Sequence, residues 1–280
     1  MQKTFVLGVG AQKSGTTWLH GYLRERPDSA MGFMKEYHVW DAIHSPDCAL
    51  FRHQAEKQTI QLIRKGYDAW SGQAVVKRLA FMSDPALYFA YFADLLRQPG
   101  VAVTGDITPS YCDLPADVLR RIRDDFAGRG IVVRPVFLMR DPVMRLNSLA
   151  RMMLKNKKVQ PSHDEEIAQM AKLCGRDDDF RSDYRKTVET LEAAFGTDVF
   201  FGFYEELFAP GTIAALCAFL GIDFLEADYG KKVNVSKTDN RLSDEDIQRF
   251  ARHYADQYAF CAERFGRERL TTLWTFPEVA

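Results

Sequence analysis

The chain has 280 residues, 46% of them apolar and 27% charged, and its 37 Lys and Arg against 38 Asp and Glu leave a formal charge of −1. That balance belongs to a folded globular chain and excludes long disordered stretches and bulk nucleic-acid binding, which needs a net basic face. Five scattered cysteines without a C-x-x-C pair exclude a disulfide framework and a thiolate zinc site, and no apolar run approaches the ~20 residues of a membrane span, so a cytoplasmic setting is expected.

Strand and helix signals alternate from the start, the pattern of a parallel sheet covered by helices. Phe5 to Val9 reads as a short buried strand, followed by a glycine-containing loop and a helix from Thr16 to Arg24. Met34 to Trp40 reads as extended and Leu50 to Lys65 as helix. Pro85 to Leu96 is a helix capped by Ser83 or Asp84, with Pro85 preset for the first turn. Val101 to Thr104 is a second strand, ending at Gly105-Asp106. Ile131 to Leu138 is a third, where Pro135 points to an edge position or a late start. Asp141 caps a helix opened by Pro142. Phe180, Tyr184, Val188, Leu191 and Phe195 step along one helical face. Val199 to Tyr204 is a further strand and Thr212 to Leu220 a helix stopped by Gly221. Lys231 to Leu242 lacks periodicity and is loop. Ser243 to Asp246 resembles a capping box opening one last helix, whose buried stripe is Ile247, Phe250, Tyr254, Tyr258, Cys261 and Phe265. No repeat or linker interrupts this order, so residues 1–280 are expected to form one α/β domain.

The most informative segment is Gly10-Ala11-Gln12-Lys13-Ser14-Gly15-Thr16-Thr17-Trp18-Leu19, between the first strand and the first helix. Glycines let the backbone turn tightly, so loop amides and a helix N-terminus can face one anion. The Gly10-x-x-x-x-Gly15 spacing matches a nucleotide-binding P-loop, but Thr16 stands where the Walker lysine belongs and the lysine lies inside the loop at Lys13. The second constellation is Arg140-Asp141-Pro142-Val143-Met144-Arg145-Leu146-Asn147-Ser148, at the end of the third strand. An arginine fork and a hydroxyl two helical turns on suit a terminal phosphate.

Gln12 to Leu19 resembles the 5′-phosphosulfate loop of sulfotransferases that use 3′-phosphoadenosine 5′-phosphosulfate (PAPS), and Arg140 to Ser148 is similar to the 3′-phosphate element of that family. The resemblance implies a P-loop NTPase-like three-layer sandwich, a central parallel sheet flanked by helices, in a soluble, bacterial-type member. It implies sulfuryl transfer from PAPS, released as 3′-phosphoadenosine 5′-phosphate, to a hydroxyl or amine acceptor, a carbohydrate or small metabolite. Gln12, Lys13, Ser14, Gly15, Thr16, Thr17, Trp18, Arg140 and Ser148 are the cofactor-binding residues it implies, with Lys13 stabilising the leaving 5′-phosphate. No metal, nucleic acid or membrane anchor is expected.

Lys35-Glu36-Tyr37-His38-Val39-Trp40-Asp41 resembles the Lys-Glu-x-His-x-x-Asp stretch of heparan-sulfate-type carbohydrate sulfotransferases. Carried over, Glu36 is the base and Lys35 a substrate or cofactor contact. His38 is the rival base, because histidine titrates nearest neutrality and serves in sulfotransferases of small phenols and steroids. Gly105 to Tyr111 resembles a Glu-Lys-(Ser/Thr)-Pro-x-Tyr turn with Asp106 and Ile107 replacing Glu-Lys, so Thr108 and Tyr111 are expected at the acceptor pocket. Ser236 and Lys237 fall where the family has a basic segment over the nucleotide. Arg151, Lys155, Lys157 and Lys158 read as a solvated basic face, and His20, His44, His53, His163 and His253 receive no role. The alternative is a small-metabolite P-loop kinase using ATP and magnesium, with Asp106 as the metal ligand at a strand end.

Overall fold

The computed structural model describes residues 2–66, 73–155, 161–174, 179–231 and 241–278. Four strands, β1 (Lys3–Gly10), β2 (Val103–Ile107), β3 (Ile131–Met139) and β4 (Phe200–Phe203), form one parallel sheet in the order β2-β1-β3-β4. The helices are α1 (Thr16–Arg24), α2 (Trp40–His44), α3 (Leu50–Arg64), α4 (Gln73–Ser83), α5 (Pro85–Arg97), α6 (Ala116–Ala127), α7 (Pro142–Leu154), α8 (His163–Cys174), α9 (Tyr184–Phe195), α10 (Pro210–Leu220), α11 (Asp244–His253), α12 (Ala255–Phe265) and α13 (Arg267–Leu273).

The period of two along β1 divides the core. Phe5, Leu7 and Val9 face a layer built from α5, α6, α7, α9 and α12, whereas Val6 faces Trp18, Leu19 and Leu23 of α1 and Ile213, Leu216 and Leu220 of α10. The result is helix, sheet, helix, the three layers expected from the alternating pattern. Because β1 sits between β2 and β3, the strand order reverses beside it. The loop after β1 and Arg140 after β3 therefore meet at the switch point on the carboxyl edge, where open α/β sheets hold ligands.

Several expectations change. Residues 34–39 are irregular backbone rather than a strand, because their amides bond to the end of β2 and the turn after it instead of to a ladder. β2 begins later than expected and runs through Gly105 and Asp106 to Ile107; a Cβ at Gly105 would lie 2.5 Å from the Val6 carbonyl oxygen, so glycine permits this close pairing. β3 is an inner strand, yet Pro135 is accommodated. Leu138 accepts from Ala11 on the β1 side, so Pro135 turns the side lacking an N–H toward β4, whose pairing starts only at Val136 opposite Phe200. The expected last helix divides at Tyr254: α11 packs on α7 and α8, while α12 packs on α9 and α13. Helices α2, α4, α6, α8 and α13 carry no counterpart among the expected elements. The loop expected from Lys231 to Leu242 lies mostly outside the described residues.

Candidate active site

Gly15 is the N-cap of α1, at φ 87, a left-handed conformation that glycine adopts without strain. Its missing side chain also matters, since a Cβ there would sit 2.5 Å from Leu207 Cδ2 and 3.2 Å from Tyr204. Lys13 takes φ 72 although it carries a side chain, a strained choice of the kind that clusters at ligand sites. No side chain caps α1, so its first-turn N–H groups remain directed out of the helix end. Ser14 is fully buried and its Oγ has no partner among the described residues.

Three cations from three elements converge on this loop. Arg140 Nη1 donates to the Lys13 carbonyl at 3.1 Å, and its guanidinium carbon lies 4.2 Å from the centre of the Tyr204 ring. Lys35 Nζ donates to Thr16 Oγ1 at 3.2 Å and to Glu36 Oε1 at 2.6 Å. Burial, followed by the charges of Arg140, Lys35 and Lys155, lowers the Lys13 pKa against the opposing pull of Glu36. Lys155 is therefore part of the field at this loop as well as an exposed surface residue. Half-buried cations that repel one another, beside the unpartnered Ser14 Oγ and Arg140 Nε, make a site suited to an anion.

Beside the cations runs a chain of acid and imidazole. His38 Nδ1 is 2.6 Å from Asp41 Oδ2, its Nε2 is 3.5 Å from Glu36 Oε2, and Ser110 Oγ donates to the same Asp41 oxygen. The imidazole stacks on Phe51 with ring centres 3.7 Å apart. Burial alone would lower the His38 pKa, but the hydrogen bonds and charges of Asp41 and Glu36 outweigh it and raise the value to about 9. Burial would likewise raise Glu36, but His38 and Lys35 prevail and bring it down to about 2. The pair is thus a carboxylate and an imidazolium at neutral pH.

Asp106, Thr108 and Tyr111 do different work from that expected. Asp106 is fully buried: Thr108 Oγ1 donates to Oδ1 at 2.6 Å, and Tyr111 and Tyr88 hydroxyls donate to Oδ2 at 2.7 and 3.0 Å. Burial lifts its pKa to about 6 despite these donors. With both oxygens engaged, it is not presented as a magnesium ligand, and no group of side chains able to hold a metal occurs among the described residues. Thr108 and Tyr111 are also buried and do not line an acceptor pocket. Thr108 Oγ1 accepts from Tyr37 N at 3.0 Å and the Tyr111 hydroxyl from Val39 N at 3.2 Å, so they fix the 35–41 segment and hold His38 at φ 50.

Of the other expected residues, Trp18 packs with Tyr22 and Phe208 and lines a cavity of about 110 Å³ with Gly21, Tyr22 and Arg26. Gln12 is half-buried and Thr17 exposed. Ser148 is half-buried on α7 and makes no side-chain hydrogen bond among the described residues. Ser236 and Lys237 lie outside the described residues. The sequence reading missed roles for Asp41, Ser110 and Tyr204. Asp41 closed the quoted motif, and Tyr204 follows β4 as Arg140 follows β3, which is the signal that was available.

The backbone superposes on a sulfotransferase from Alicyclobacillus acidocaldarius with a TM-score of 0.58 and 18% identity, covering 94% of this chain and 96% of that one. The chain has the fold of that sulfotransferase. A second sulfotransferase, STF9 from Mycobacterium avium, aligns more loosely, at TM-score 0.38 and 12% identity over 79% of this chain and 64% of that one, and carries no argument. No family model and no curated protein matches the sequence.

Proposed function

We propose that this chain is a PAPS-dependent sulfotransferase that moves a sulfuryl group to a hydroxyl or amine acceptor and releases 3′-phosphoadenosine 5′-phosphate. The observation that carries the proposal is the patch of Lys13, Lys35 and Arg140 around the α1 N-terminus, with unpartnered polar atoms on Ser14 and Arg140 beside it. When bound, PAPS supplies an activated sulfuryl group whose transfer leaves charge on the 5′-phosphate.

Lys13 is the cation for that developing charge, which is where fixed electrostatics lowers a barrier most. The amides of Ser14 to Thr17 and the hydroxyls of Ser14 and Thr16 bind the 5′ end, and Trp18 flanks the nucleotide. Arg140, with Ser148 farther along α7, binds the 3′-phosphate. Glu36 is the proton acceptor. An anion beside Thr16 competes with Glu36 for the Lys35 ammonium, so nucleotide binding raises the proton affinity of the carboxylate. His38, charged at neutral pH, orients Glu36 and is a poor substitute for it. The Lys35–Asp41 resemblance favours a carbohydrate or small-metabolite hydroxyl as acceptor.

A kinase would need its lysine at Thr16 and a carboxylate free for magnesium, and Asp106 has neither oxygen free. The test is transfer of labelled sulfate from PAPS across a panel of hydroxyl and amine acceptors, with mass-spectrometric detection. Lys13→Ala and Glu36→Gln should each lower turnover by about 10²–10³ while the melting curve is retained. Parental turnover in either variant would remove that residue from its role.

A further inference from the structure

Arg140 is held by more than its neighbours in the loop. Its carbonyl accepts from the Tyr184 hydroxyl at 2.8 Å, which fixes the backbone, while the Tyr204 ring supports the guanidinium. The residues that follow Arg140 and Tyr204 in the chain, Asp141 and Glu205, are joined: Asp141 N donates to Glu205 Oε1 at 3.1 Å. Both carboxylates are then engaged by the stretch that follows α13. Trp274 Nε1 donates to Glu205 Oε2 at 3.1 Å, and Thr275 N donates to Asp141 Oδ2 at 3.0 Å. The other Asp141 oxygen caps α7 through Val143 N and Met144 N.

The stretch is itself anchored. Trp274 is 4% exposed and packs edge-on against Phe203 at 5.5 Å and Tyr258 at 6.0 Å between ring centres. Gln248 of α11 donates to the Phe276 carbonyl and accepts from Glu278 N. Residues separated by more than 130 positions in sequence therefore share one hydrogen-bonded ring. Two carboxylates this close, Asp141 buried and Glu205 half-buried, disfavour one another, and each accepts a stabilising donor from 274 or 275.

We infer that the segment Trp274–Thr275 is a brace for Arg140, setting the position of its guanidinium for the phosphate it meets at the 3′ end of the nucleotide. Trp274 and Thr275 are positioning residues, since neither reaches the anion site. The inference rests on the assignment of Arg140 to a 3′-phosphate, and the experiment separates the two.

Trp274→Phe keeps an aromatic ring against Phe203 and Tyr258 while removing the N–H donor together with part of the indole. Thr275→Pro removes the backbone donor along with an exposed side chain, and Trp274 at φ −124 and ψ 150 already has the extended conformation a following proline requires. A third variant ends the chain at Leu273. Calorimetry is run with adenosine 3′,5′-bisphosphate and with adenosine 5′-phosphate, alongside circular dichroism. Each point variant should weaken the bisphosphate roughly three- to tenfold, while the 5′-phosphate changes by less than about twofold. In an Arg140→Ala background the same changes should add nothing, the mark of residues acting through Arg140. Bisphosphate affinity unchanged in both point variants, or equal losses for the two nucleotides, overturns the brace. Should Arg140→Ala alone weaken the two nucleotides equally, the 3′-phosphate assignment fails and the brace with it. Should Arg140→Ala discriminate and the tail variants not, only the brace falls. If the shortened chain does not fold, the point variants decide.

Discussion

His38 stands at φ 50, between two carboxylates and against a phenyl ring, and its state sets the behaviour of the pair it forms with Glu36. Because Asp41 and Glu36 raise its folded pKa to about 9 from 6.5, its contribution to stability is fully present below about pH 6.5 and is lost as pH rises through about 9. Glu36 has the opposite sign: lowered to about 2 from 4.5, it contributes above about pH 4.5 and loses that contribution as pH falls toward 2. Glu36 is therefore ionised across the working range, and deprotonation of His38 contributes to the alkaline limb of the activity profile, alongside that of Lys13, whose pKa burial and neighbouring cations lower. Transfer should decline above about pH 9, and Asp41→Asn should move that limb to lower pH by removing the carboxylate on Nδ1. Titration of the imidazole by NMR in both proteins checks the assignment. An unchanged His38 pKa in Asp41→Asn would contradict it.

At the scale of elements, the loop from Gly10 to Gly15 depends on one position more than the others. Gly15 combines a positive φ with a 2.5 Å approach to Leu207, and Leu207 is fully buried and unable to retreat freely. Gly15→Ala should destabilise the fold by about 1–3 kcal/mol and disturb the amides that face the anion, so melting temperature and nucleotide affinity should fall together. A variant melting like the parent would show that the loop shifts without cost. This loop was legible in the sequence because its glycines, its displaced lysine and the strand before it all occur within 15 residues of the start. Arg140 was legible for the same reason, as a strand end followed by Asp-Pro. What could not be read was anything fixed by a distant partner. Thr108 and Tyr111 lie in a motif that suggested an acceptor pocket, yet 71 and 72 positions separate them from the Tyr37 and Val39 amides they hold. Residues 34–39 looked extended because their apolar content resembles a strand, and only the sheet edge beside them shows that β2 and its turn take up their hydrogen bonds. Tyr254 sits within a continuous apolar stripe, so the break it makes between α11 and α12 follows from the different neighbours of the two halves.

For the whole molecule, topology assembles what sequence separation hides. Strand order β2-β1-β3-β4 brings the residues after all four strands to one edge: the Lys13 loop after β1, Thr108 after β2, Arg140 after β3 and Tyr204 after β4. The near-zero net charge conceals this arrangement, since Lys13, Lys35 and Arg140 gather at that edge while acidic residues offset them elsewhere. The central claim is that this edge holds the two charged ends of one bisphosphorylated nucleotide. Isothermal titration of the full chain in EDTA with adenosine 3′,5′-bisphosphate, and in magnesium with ATP, tests it directly. The account predicts micromolar or tighter binding of the bisphosphate without metal, weakened at least about tenfold by Arg140→Ala, and a clear preference for it over magnesium–ATP. Preference for magnesium–ATP, or bisphosphate binding indifferent to Arg140→Ala, would contradict it.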